Sequence, residues 1–379
     1  MAASACKYTI LLLSAPLGSG HKMAAEALEE AFKKHGNVKV VNGSAFDFFP
    51  KWLGNIILGG YIGILKHIPK LYDIAYHWSN TGNNSFWLRD FLNLLLSYLA
   101  QGFIKKTSPD AVIVTHPTPA GVMAQYKKRC APGLWLGAVI TDFNFHHWWI
   151  YKGLDVYFTA DESIQPPPEL GIPAVVTGIP VRSAFSAPFE REKWRSRLGY
   201  AADDTLCLVM GGGDGLLPMP ELLRALTECR DIKGLKIAAV TGHNRNLAEE
   251  LKKMALPGVM VLDFIAELPQ LLRSADIVIS KAGGLTAAET LAIGTEFILY
   301  DPLPGQEVRN AGYLCEKCEA KIAATPQEVC GFVKKYAELG TEEKNSLRRR
   351  RRAAYGKPYA ADAVADFVLK TLDGLDHLI

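Results

Sequence analysis

The amino-acid sequence predicts an α/β protein built from two doubly wound domains that face one another across a cleft. Two observations lead to this fold class. Short apolar runs alternate with segments of helical period through most of the 379 residues, and each half of the chain opens with a strand and a glycine-rich turn. Continuous apolar strands separated by helices are typical of parallel sheets covered on both faces. Ligands of such sheets bind beyond the carboxyl ends of the strands.

The predicted strands form two groups of five. The first sheet is expected to contain Tyr8–Leu13, Ala111–Thr115, Leu134–Ile140, Val156–Thr159 and Ala174–Thr177. The second is expected to contain Thr205–Met210, Lys236–Thr241, Val259–Leu262, Ile277–Ser280 and Glu296–Tyr300. An amphipathic helix follows the first strand, and the apolar face of this helix carries Ala24, Ala27, Leu28, Ala31 and Phe32.

The linker between the domains is predicted near Gly178–Leu198, a polar passage that contains proline. We therefore expect an N-terminal domain at residues 1–180 and a C-terminal domain at 181–355. The remaining residues, 356–379, contain an amphipathic helical pattern.

Composition narrows the class of protein. A hydrophobic content of 49% and a charged content of 21% fit a globular α/β protein and argue against wholesale disorder. The net charge of +3 does not indicate a nucleic-acid partner. Seven scattered cysteines favour a reducing cytoplasm. No uncharged apolar stretch reaches the roughly 18–20 residues that span a bilayer, so we expect any membrane role to be peripheral.

Residues 48–106 interrupt the α/β alternation with a dense set of aromatic and aliphatic side chains. Two interpretations stay open: the segment forms helices that belong to the N-terminal core, or part of it is an apolar surface for lipid. On the second interpretation the candidate contacts to the acceptor or the membrane include Trp52, Tyr61, Trp78 and Trp87.

The first glycine turn ends in a histidine. Gly18-Ser19-Gly20 permits a tight turn at the start of the first helix, whose unpaired amides favour an anion. It is not the dinucleotide fingerprint, since Met23 stands where a third glycine is expected. His21 is a candidate general base or sugar-orienting donor, and the alternative is a hydrogen-bonded structural residue.

Two further glycine turns lie in the second half. Gly211–Gly215 follows a strand but lacks the Gly-Lys-Ser/Thr ending of an ATPase phosphate loop. Ser280–Glu289 is more specific: a strand ends at Ser280, and a helix is predicted from Thr286 to Gly294. The backbone amides of Gly284, Leu285 and Thr286 are expected to face a diphosphate, and Glu289 to accept the ribose hydroxyls.

Two polar segments complete the candidates. The loop after the next strand carries Gln306, Glu307 and Asn310, which suit sugar hydroxyl groups. Arg348–Arg352 is a run of five arginines. A solvated helix is the default interpretation of this run, and attraction to anionic lipid headgroups is the alternative.

These motifs together resemble the monogalactosyldiacylglycerol synthase and processive diacylglycerol glucosyltransferase group, which is related to the MurG glycosyltransferases. The likeness covers nearly the whole chain. It rests on four segments in the order of the family: Gly18-x-Gly20-His21-x-x-Ala24-Ala25, Thr141-Asp142-Phe143-x-x-His146-x-x-Trp149, Lys281-Ala-Gly-Gly284-x-Thr286-x-x-Glu289 and Gly305-Gln306-Glu307-x-x-Asn310.

The resemblance implies a GT-B fold, in which the N-terminal domain binds the acceptor, the C-terminal domain binds the nucleotide, and the final helix returns to the N-terminal domain. It also implies an inverting transfer that releases UDP. Matching residue by residue, it assigns the diphosphate to Gly213 and Thr286, the uracil to Phe264 and Ile265, the ribose to Glu289, the hexose to Gln306 and Glu307, and the reaction centre to His21. Gly20, Gly284, Leu285 and Asn310 complete the expected UDP-sugar site, and His146 and Trp149 join the acceptor or membrane candidates.

The expected function is therefore transfer of a hexose from UDP-glucose or UDP-galactose to a lipid, with diacylglycerol as the acceptor that the resemblance implies. The candidate bases are His21, Asp47 and Asp142, in that order. The chain contains no Asp-x-Asp motif, which agrees with a transfer that needs neither a metal ion nor a further cofactor. The expected partners are the UDP-hexose, the lipid and an anionic membrane surface at the cytoplasmic face. The alternatives are another lipid acceptor, such as a polyprenyl diphosphate or a sterol, and a non-enzymatic UDP-sugar sensor.

Overall fold

The computed structural model describes residues 6–16, 18–48, 86–201, 203–229 and 232–376. Three of the lipid candidates, Trp52, Tyr61 and Trp78, lie outside these ranges. The chain divides into two compact units, one formed by Met1–Ser183 with Tyr359–Ile379 and the other by Ala184–Pro358. Each unit contains a parallel sheet with helices, so the predicted α/β class is confirmed.

The sheet of the N-terminal unit has six parallel strands. They are β1 (Tyr8–Ser14), β2 (Val38–Ser44), β3 (Ala111–Val114), β4 (Trp135–Val139), β5 (Val156–Thr159) and β6 (Ala174–Val176). Their order across the sheet is β2-β1-β3-β4-β5-β6. The central strands β1, β3 and β4 are almost entirely buried, as expected for strands covered on both faces.

Four helices cover this sheet in the described ranges. They are α1 (Ser19–Lys33), α2 (Phe86–Thr107), α3 (Pro117–Cys130) and, from the end of the chain, α12 (Ala360–Asp376). Helix α12 packs on α1, and Val364, Ala365 and Val368 are fully buried in the cluster that also contains Leu28 and Phe32. Within the described residues, no helix is both long enough and apolar enough to cross a bilayer.

The sheet of the C-terminal unit repeats the pattern. Its strands are β7 (Thr205–Met210), β8 (Leu235–Val240), β9 (Val259–Leu262), β10 (Ile277–Ser280), β11 (Glu296–Tyr300) and β12 (Lys321–Ala323). Their order is β12-β11-β10-β7-β8-β9, and every pair is parallel.

Eight helices accompany these strands among the described residues. They are α4 (Arg191–Arg197), α5 (Met219–Glu228), α6 (Arg245–Met254), α7 (Leu268–Ser274), α8 (Gly284–Ile293), α9 (Gln306–Cys318), α10 (Pro326–Ala337) and α11 (Thr341–Tyr355). The apolar faces of α5 and α10 and the inward faces of β7, β8, β10 and β11 form one core.

Both strands that the sequence prediction missed, β2 and β12, are edge strands. Residues of β2 are half-buried or exposed, and β12 spans three residues. An edge strand keeps polar positions and can be short, so neither segment presents the continuous apolar run of a central strand. Helix α8 begins at Gly284, two residues before the predicted start at Thr286, and ends as predicted at Gly294, whose φ is 68°.

The arginine run is only in part a solvated face, which corrects the default interpretation: Arg349, Arg350 and Arg352 are exposed, while Arg348 and Arg351 turn inward. In helix α11, Arg348 donates to the carbonyls of Arg273 and Ala275, and Arg351 pairs with Glu296 in the interior. Arg350 holds both carboxylate oxygens of Glu319, at 2.5 and 2.6 Å. These arginines attach α11 to the sheet and its helices.

A buried ion pair anchors the first helix of the C-terminal unit. Asp276, just before β10, accepts from Arg191 at 2.5 Å and from Arg195 at 2.8 Å, and its carboxylate also accepts the Leu206 amide at 2.9 Å. Burial by itself raises the pKa of Asp276, but the two guanidinium groups outweigh it and hold the pKa below its usual value. Arg195 is 1% exposed.

We expect Asp276→Asn to lower the free energy of unfolding of the C-terminal unit by about 3–5 kcal/mol, because the buried Arg195 and the half-buried Arg191 lose their counter-charge. Urea denaturation checks this value. The control is Asp263→Asn: Asp263 pairs with Lys252 at 3.2 Å at the surface, so a loss of no more than about 1 kcal/mol is expected. Equal losses in both variants would contradict the structural role of Asp276.

Candidate active site

Each sheet has one position where the strand order reverses. In the N-terminal unit the chain leaves β1 for one edge and returns to place β3 on the other side of β1. In the C-terminal unit the same reversal occurs between β7 and β10. The loops after the two strands diverge at such a point and leave a crevice at their carboxyl ends. The predicted histidine and glycine turns lie at these two positions.

His21 occupies the first turn of α1, directly after the carboxyl end of β1. The turn depends on Gly18, whose φ of 88° favours a residue without a side chain. Gly20 is the second residue of the helix. The helix buries Ala24 and Leu28 against the sheet, and this packing fixes the direction of its first turn.

Two threonines from neighbouring strand ends hold the His21 ring. Nδ1 of His21 lies 2.6 Å from the carbonyl oxygen of Thr115 and 2.9 Å from the hydroxyl of Thr141. The Thr115 hydroxyl donates in turn to the carbonyl of His21 at 2.9 Å. The hydrogen bonds of His21 to described residues therefore engage Nδ1 and the backbone.

This contact determines the tautomer. A carbonyl oxygen can only accept, so the Nδ1 atom of His21 carries the proton and Nε2 keeps its lone pair. Burial lowers the pKa of His21 from its usual 6.5 to about 4, although the Thr115 carbonyl acts in the opposite direction. The ring is neutral at pH 7, and its Nε2 is a proton acceptor.

The other two candidate bases occupy different positions. Asp142 follows Thr141 at the carboxyl end of β4 and is buried, with 7% of its surface exposed. Asp47 lies in a short 3-10 helix after β2, where its exposed carboxylate accepts the Ser44 amide at 2.7 Å. Asp142 therefore shares the strand end that holds His21, and Asp47 lies at the edge strand.

The segment from Thr141 to Trp149 contributes less surface than predicted. Trp149 is 1% exposed and belongs to the hydrophobic core, so its assignment as an acceptor or membrane contact is wrong. His146 is also buried, and its Nδ1 accepts the Trp148 amide at 3.1 Å. Trp148, with 37% of its surface exposed, is the aromatic residue that reaches the surface here.

Helix α2 carries an apolar stripe on its solvent side. Trp87 is 69% exposed, and five further large apolar residues of this helix are 46–56% exposed. The stripe is formed by Trp87, Phe91, Leu92, Leu95, Tyr98 and Leu99. It ends near the exposed Lys105 and Lys106. Ala100 and Ile104 of the same helix are core residues, so the core interpretation of residues 48–106 holds for part of the described segment, and the lipid surface stays a prediction for the exposed stripe.

In the C-terminal unit, the glycine loop after β7 interlocks with the turn after β8. The amide of His243 donates to the carbonyl of Gly213 at 2.8 Å. A side chain on Gly242, whose φ is 62°, would collide with the carbonyl oxygens of Gly212 and Gly213. The two turns form one glycine-lined floor at the carboxyl ends of β7 and β8.

The helix after β10 begins at the same point of strand reversal. The first backbone hydrogen bond of α8 runs from the amide of Ala287 to the carbonyl of Gly283, the residue before the helix. The amides of Gly284, Leu285 and Thr286 therefore have no acceptor within the helix. Glu289 lies in the next turn and is 3% exposed. Glu289 is therefore not a solvated surface charge, and the site can offer both amide donors and a carboxylate.

An ion pair crosses this site. Lys281 Nζ lies 2.5 Å from Glu307 Oε1, and Glu307 Oε2 accepts the Leu303 amide at 3.0 Å. The lysine side chain passes over Gly212, where an added Cβ would lie 3.1 Å from its Cε. Gln306 is the first residue of α9, one position before Glu307. A lysine ammonium group thus connects the loops that follow β7, β10 and β11, which the sequence motif did not indicate.

Asn310 has a supporting position. It is fully buried, and its amide donates to the Ala282 carbonyl at 3.1 Å. Asn310 thus holds the turn from which α8 begins, and its expected direct contact with the sugar stays a prediction.

A stacked aromatic pair lies beyond the carboxyl ends of β8 and β9. The rings of His243 and Phe264 are 4.5 Å apart and nearly parallel, at 10°. Phe264 is 58% exposed, and Ile265 follows it as a half-buried residue. Sequence analysis missed His243, although its place directly after a predicted strand could have identified it.

Two family models match the chain. Residues 21–181 match the monogalactosyldiacylglycerol (MGDG) synthase family, and residues 206–354 match the glycosyltransferase family 28 C-terminal domain. The first range includes His21 and the threonines that hold it. The second includes the glycine floor, Glu289 and Glu307.

Curated relatives match this chain along nearly its whole length. The processive diacylglycerol beta-glucosyltransferase of Bacillus cytotoxicus is 28% identical over 95% of this chain and 93% of its own. The enzyme of the same name from Bacillus thuringiensis is 27% identical with the same coverage.

Solved structures show the same fold. MurG of Acinetobacter baumannii superposes with a TM-score of 0.64 at 18% identity, over 96% of this chain and 99% of its own. TcCGT1 in complex with UDP superposes with a TM-score of 0.61 at 13% identity and the same coverage. The predicted GT-B fold is confirmed by these neighbours.

Proposed function

Because residues 206–354 match the glycosyltransferase family 28 C-terminal domain and residues 21–181 match the MGDG synthase family, we propose that this chain transfers a hexose from UDP-glucose or UDP-galactose to diacylglycerol at a membrane surface. The observation that carries the proposal is the neutral His21 at the strand reversal of the N-terminal unit, with Nε2 as a proton acceptor. Support for the lipid comes from the name of the Bacillus relatives, and support for the nucleotide comes from the UDP complex of a structural neighbour.

The reaction is an inverting displacement at the anomeric carbon. A bond forms between that carbon and the acceptor hydroxyl oxygen, the bond to the diphosphate oxygen breaks, and the hydroxyl proton passes to Nε2 of His21. Because His21 has a pKa of about 4, it cannot ionise a free alcohol. The proton therefore moves as the new bond forms, when the oxygen becomes acidic. The Thr115 carbonyl then stabilises the imidazolium through Nδ1–H.

The C-terminal unit supplies the donor site. We propose that the free amides of Gly284, Leu285 and Thr286 and the glycine floor at Gly213 bind the diphosphate, where amide donors stabilise the departing charge. Glu289 accepts the ribose hydroxyls.

The remaining donor contacts are to the two ends of the UDP-sugar. Phe264 and Ile265 lie at the uracil. Gln306 and Glu307 bind the hexose, and Lys281 holds the Glu307 carboxylate in place. The sugar nucleotide is the donor substrate, and the proposal includes no further cofactor.

The exposed stripe of α2 supports the lipid side of the proposal. Its aromatic and leucine side chains form a contiguous apolar surface of the kind that contacts membranes. Lys105 and Lys106 add positive charge at its end, and each basic residue near an anionic surface contributes about 1 kcal/mol. We propose peripheral binding to the cytoplasmic face of a membrane through this stripe.

The function is tested by measuring UDP release from UDP-glucose and UDP-galactose with diacylglycerol, ceramide, sterol and polyprenyl diphosphate acceptors in mixed micelles. We expect release to depend on diacylglycerol. Release that depends only on another lipid would contradict the proposed acceptor, and UDP binding without release on any acceptor would favour a sensor.

In the same assay, His21→Ala should lower kcat by about 10²–10⁴-fold with UDP affinity unchanged. His35→Ala, in a surface residue just after the same helix, is the control, and wild-type turnover of the His21 variant would remove His21 from the mechanism.

We expect Glu289→Gln and Glu289→Ala to weaken UDP binding about 10–100-fold, because each loses charge-assisted hydrogen bonds to the ribose. Isothermal titration calorimetry with UDP measures this change, and Glu250→Ala on the exposed side of α6 is the control. A melting temperature for Glu289→Gln separates lost binding from lost folding. Unchanged UDP affinity in a folded variant would contradict the ribose role.

A further inference from the structure

A second histidine lies beside His21 and has no role in the mechanism above. His116 follows β3 at the same strand reversal, and its ring centroid is 4.6 Å from that of His21. The two rings are nearly perpendicular, at 86°. His116 keeps 9% of its surface accessible.

The backbone determines the tautomer of His116, and it is the opposite of the one in His21. His116 is the N-cap of α3, and its Nδ1 accepts the Thr118 amide at 3.1 Å. A ring nitrogen that accepts carries no proton, so in the neutral ring the proton is on Nε2. Burial, followed by the neighbouring His21, lowers the pKa of His116 well below 6.5 and keeps the ring neutral.

The site therefore presents one acceptor and one donor side by side. Nε2 of His21 has a lone pair, and Nε2–H of His116 is a donor. Among the described residues, the hydrogen bond of the His116 ring is the one that Nδ1 accepts from Thr118. A buried donor that loses water without gaining an acceptor is costly. A ligand that displaces water here is thus favoured when it brings an oxygen to each ring.

We propose that His116 is an acceptor-binding residue: its Nε2–H donates to a second oxygen of the lipid, close along the chain to the hydroxyl that gives its proton to His21. The inference rests on the proposed function and narrows its acceptor to alcohols with a neighbouring oxygen, the chemistry of a glycerol ester. A simple long-chain alcohol or a sterol has no such oxygen and leaves the His116 donor unpaired.

Two variants separate recognition from helix capping. His116→Asn keeps an oxygen near the position of Nδ1, where it caps α3, and lacks a donor at the position of Nε2. His116→Gln places an amide near Nε2 and loses the cap. The measured quantity is the ratio of kcat/KM for diacylglycerol to kcat/KM for a long-chain primary alcohol in the same micelles.

We expect the ratio to fall about tenfold or more in His116→Asn, with an unchanged melting temperature. His116→Gln should keep most of the ratio and melt at a lower temperature. A wild-type ratio in His116→Asn, or a loss of the ratio only in His116→Gln, would overturn the inference and leave His116 as a cap. No UDP release by the wild-type protein with any acceptor would instead remove the proposed function itself.

Discussion

The hydrogen bond from Nδ1 of His21 to the carbonyl oxygen of Thr115 is the interaction on which the site depends. It joins the first turn of α1 to the end of β3, across the point where the strand order reverses. A histidine without this contact could adopt either tautomer, and only one of them directs a lone pair away from the sheet. The backbone thus determines the chemistry of the side chain, and partial burial keeps the ring neutral at physiological pH.

The two units use one architectural feature for different purposes. In the N-terminal unit the strand reversal gathers side chains of histidine and threonine, through which the proposed mechanism moves a proton. In the C-terminal unit the corresponding reversal gathers glycines and free helix amides, together with Glu289 and the Lys281–Glu307 ion pair. In the C-terminal unit the glycines leave the backbone open to the close approach that the proposed diphosphate site requires.

Sequence reasoning found the central strands and the chemical motifs because both have local patterns. Buried parallel strands are continuous apolar runs. Gly283 and Gly284 mark the start of a helix, and this signal is visible in a short stretch of sequence. It could not find interactions that join distant segments. The clamp of Thr115 and Thr141 on His21 spans 94 and 120 residues, and Lys281 meets Glu307 only after both strands pair. Burial was also invisible locally, so Trp149 and Asn310 were assigned to ligand contacts although both side chains are buried.

The same limit applies to charge. The arginine run has the pattern of a solvated surface, yet Arg348 and Arg351 are used inside the C-terminal unit. What the sequence shows is which groups are present, and the packing decides whether a charge faces water, a counter-charge or a ligand. For this reason the proposed lipid surface is the stripe of α2, where exposed apolar residues are observed.

Nitrogen NMR of the histidine rings tests the central claim directly. In protein labelled with ¹⁵N-histidine, long-range ¹H–¹⁵N correlation spectra identify the protonated nitrogen of each ring, and the spectrum of His21→Ala assigns His21. We predict that His21 is neutral with the proton on Nδ1 at pH 7 and titrates at about pH 4. A proton on Nε2, or titration near the ordinary 6.5, would contradict the account.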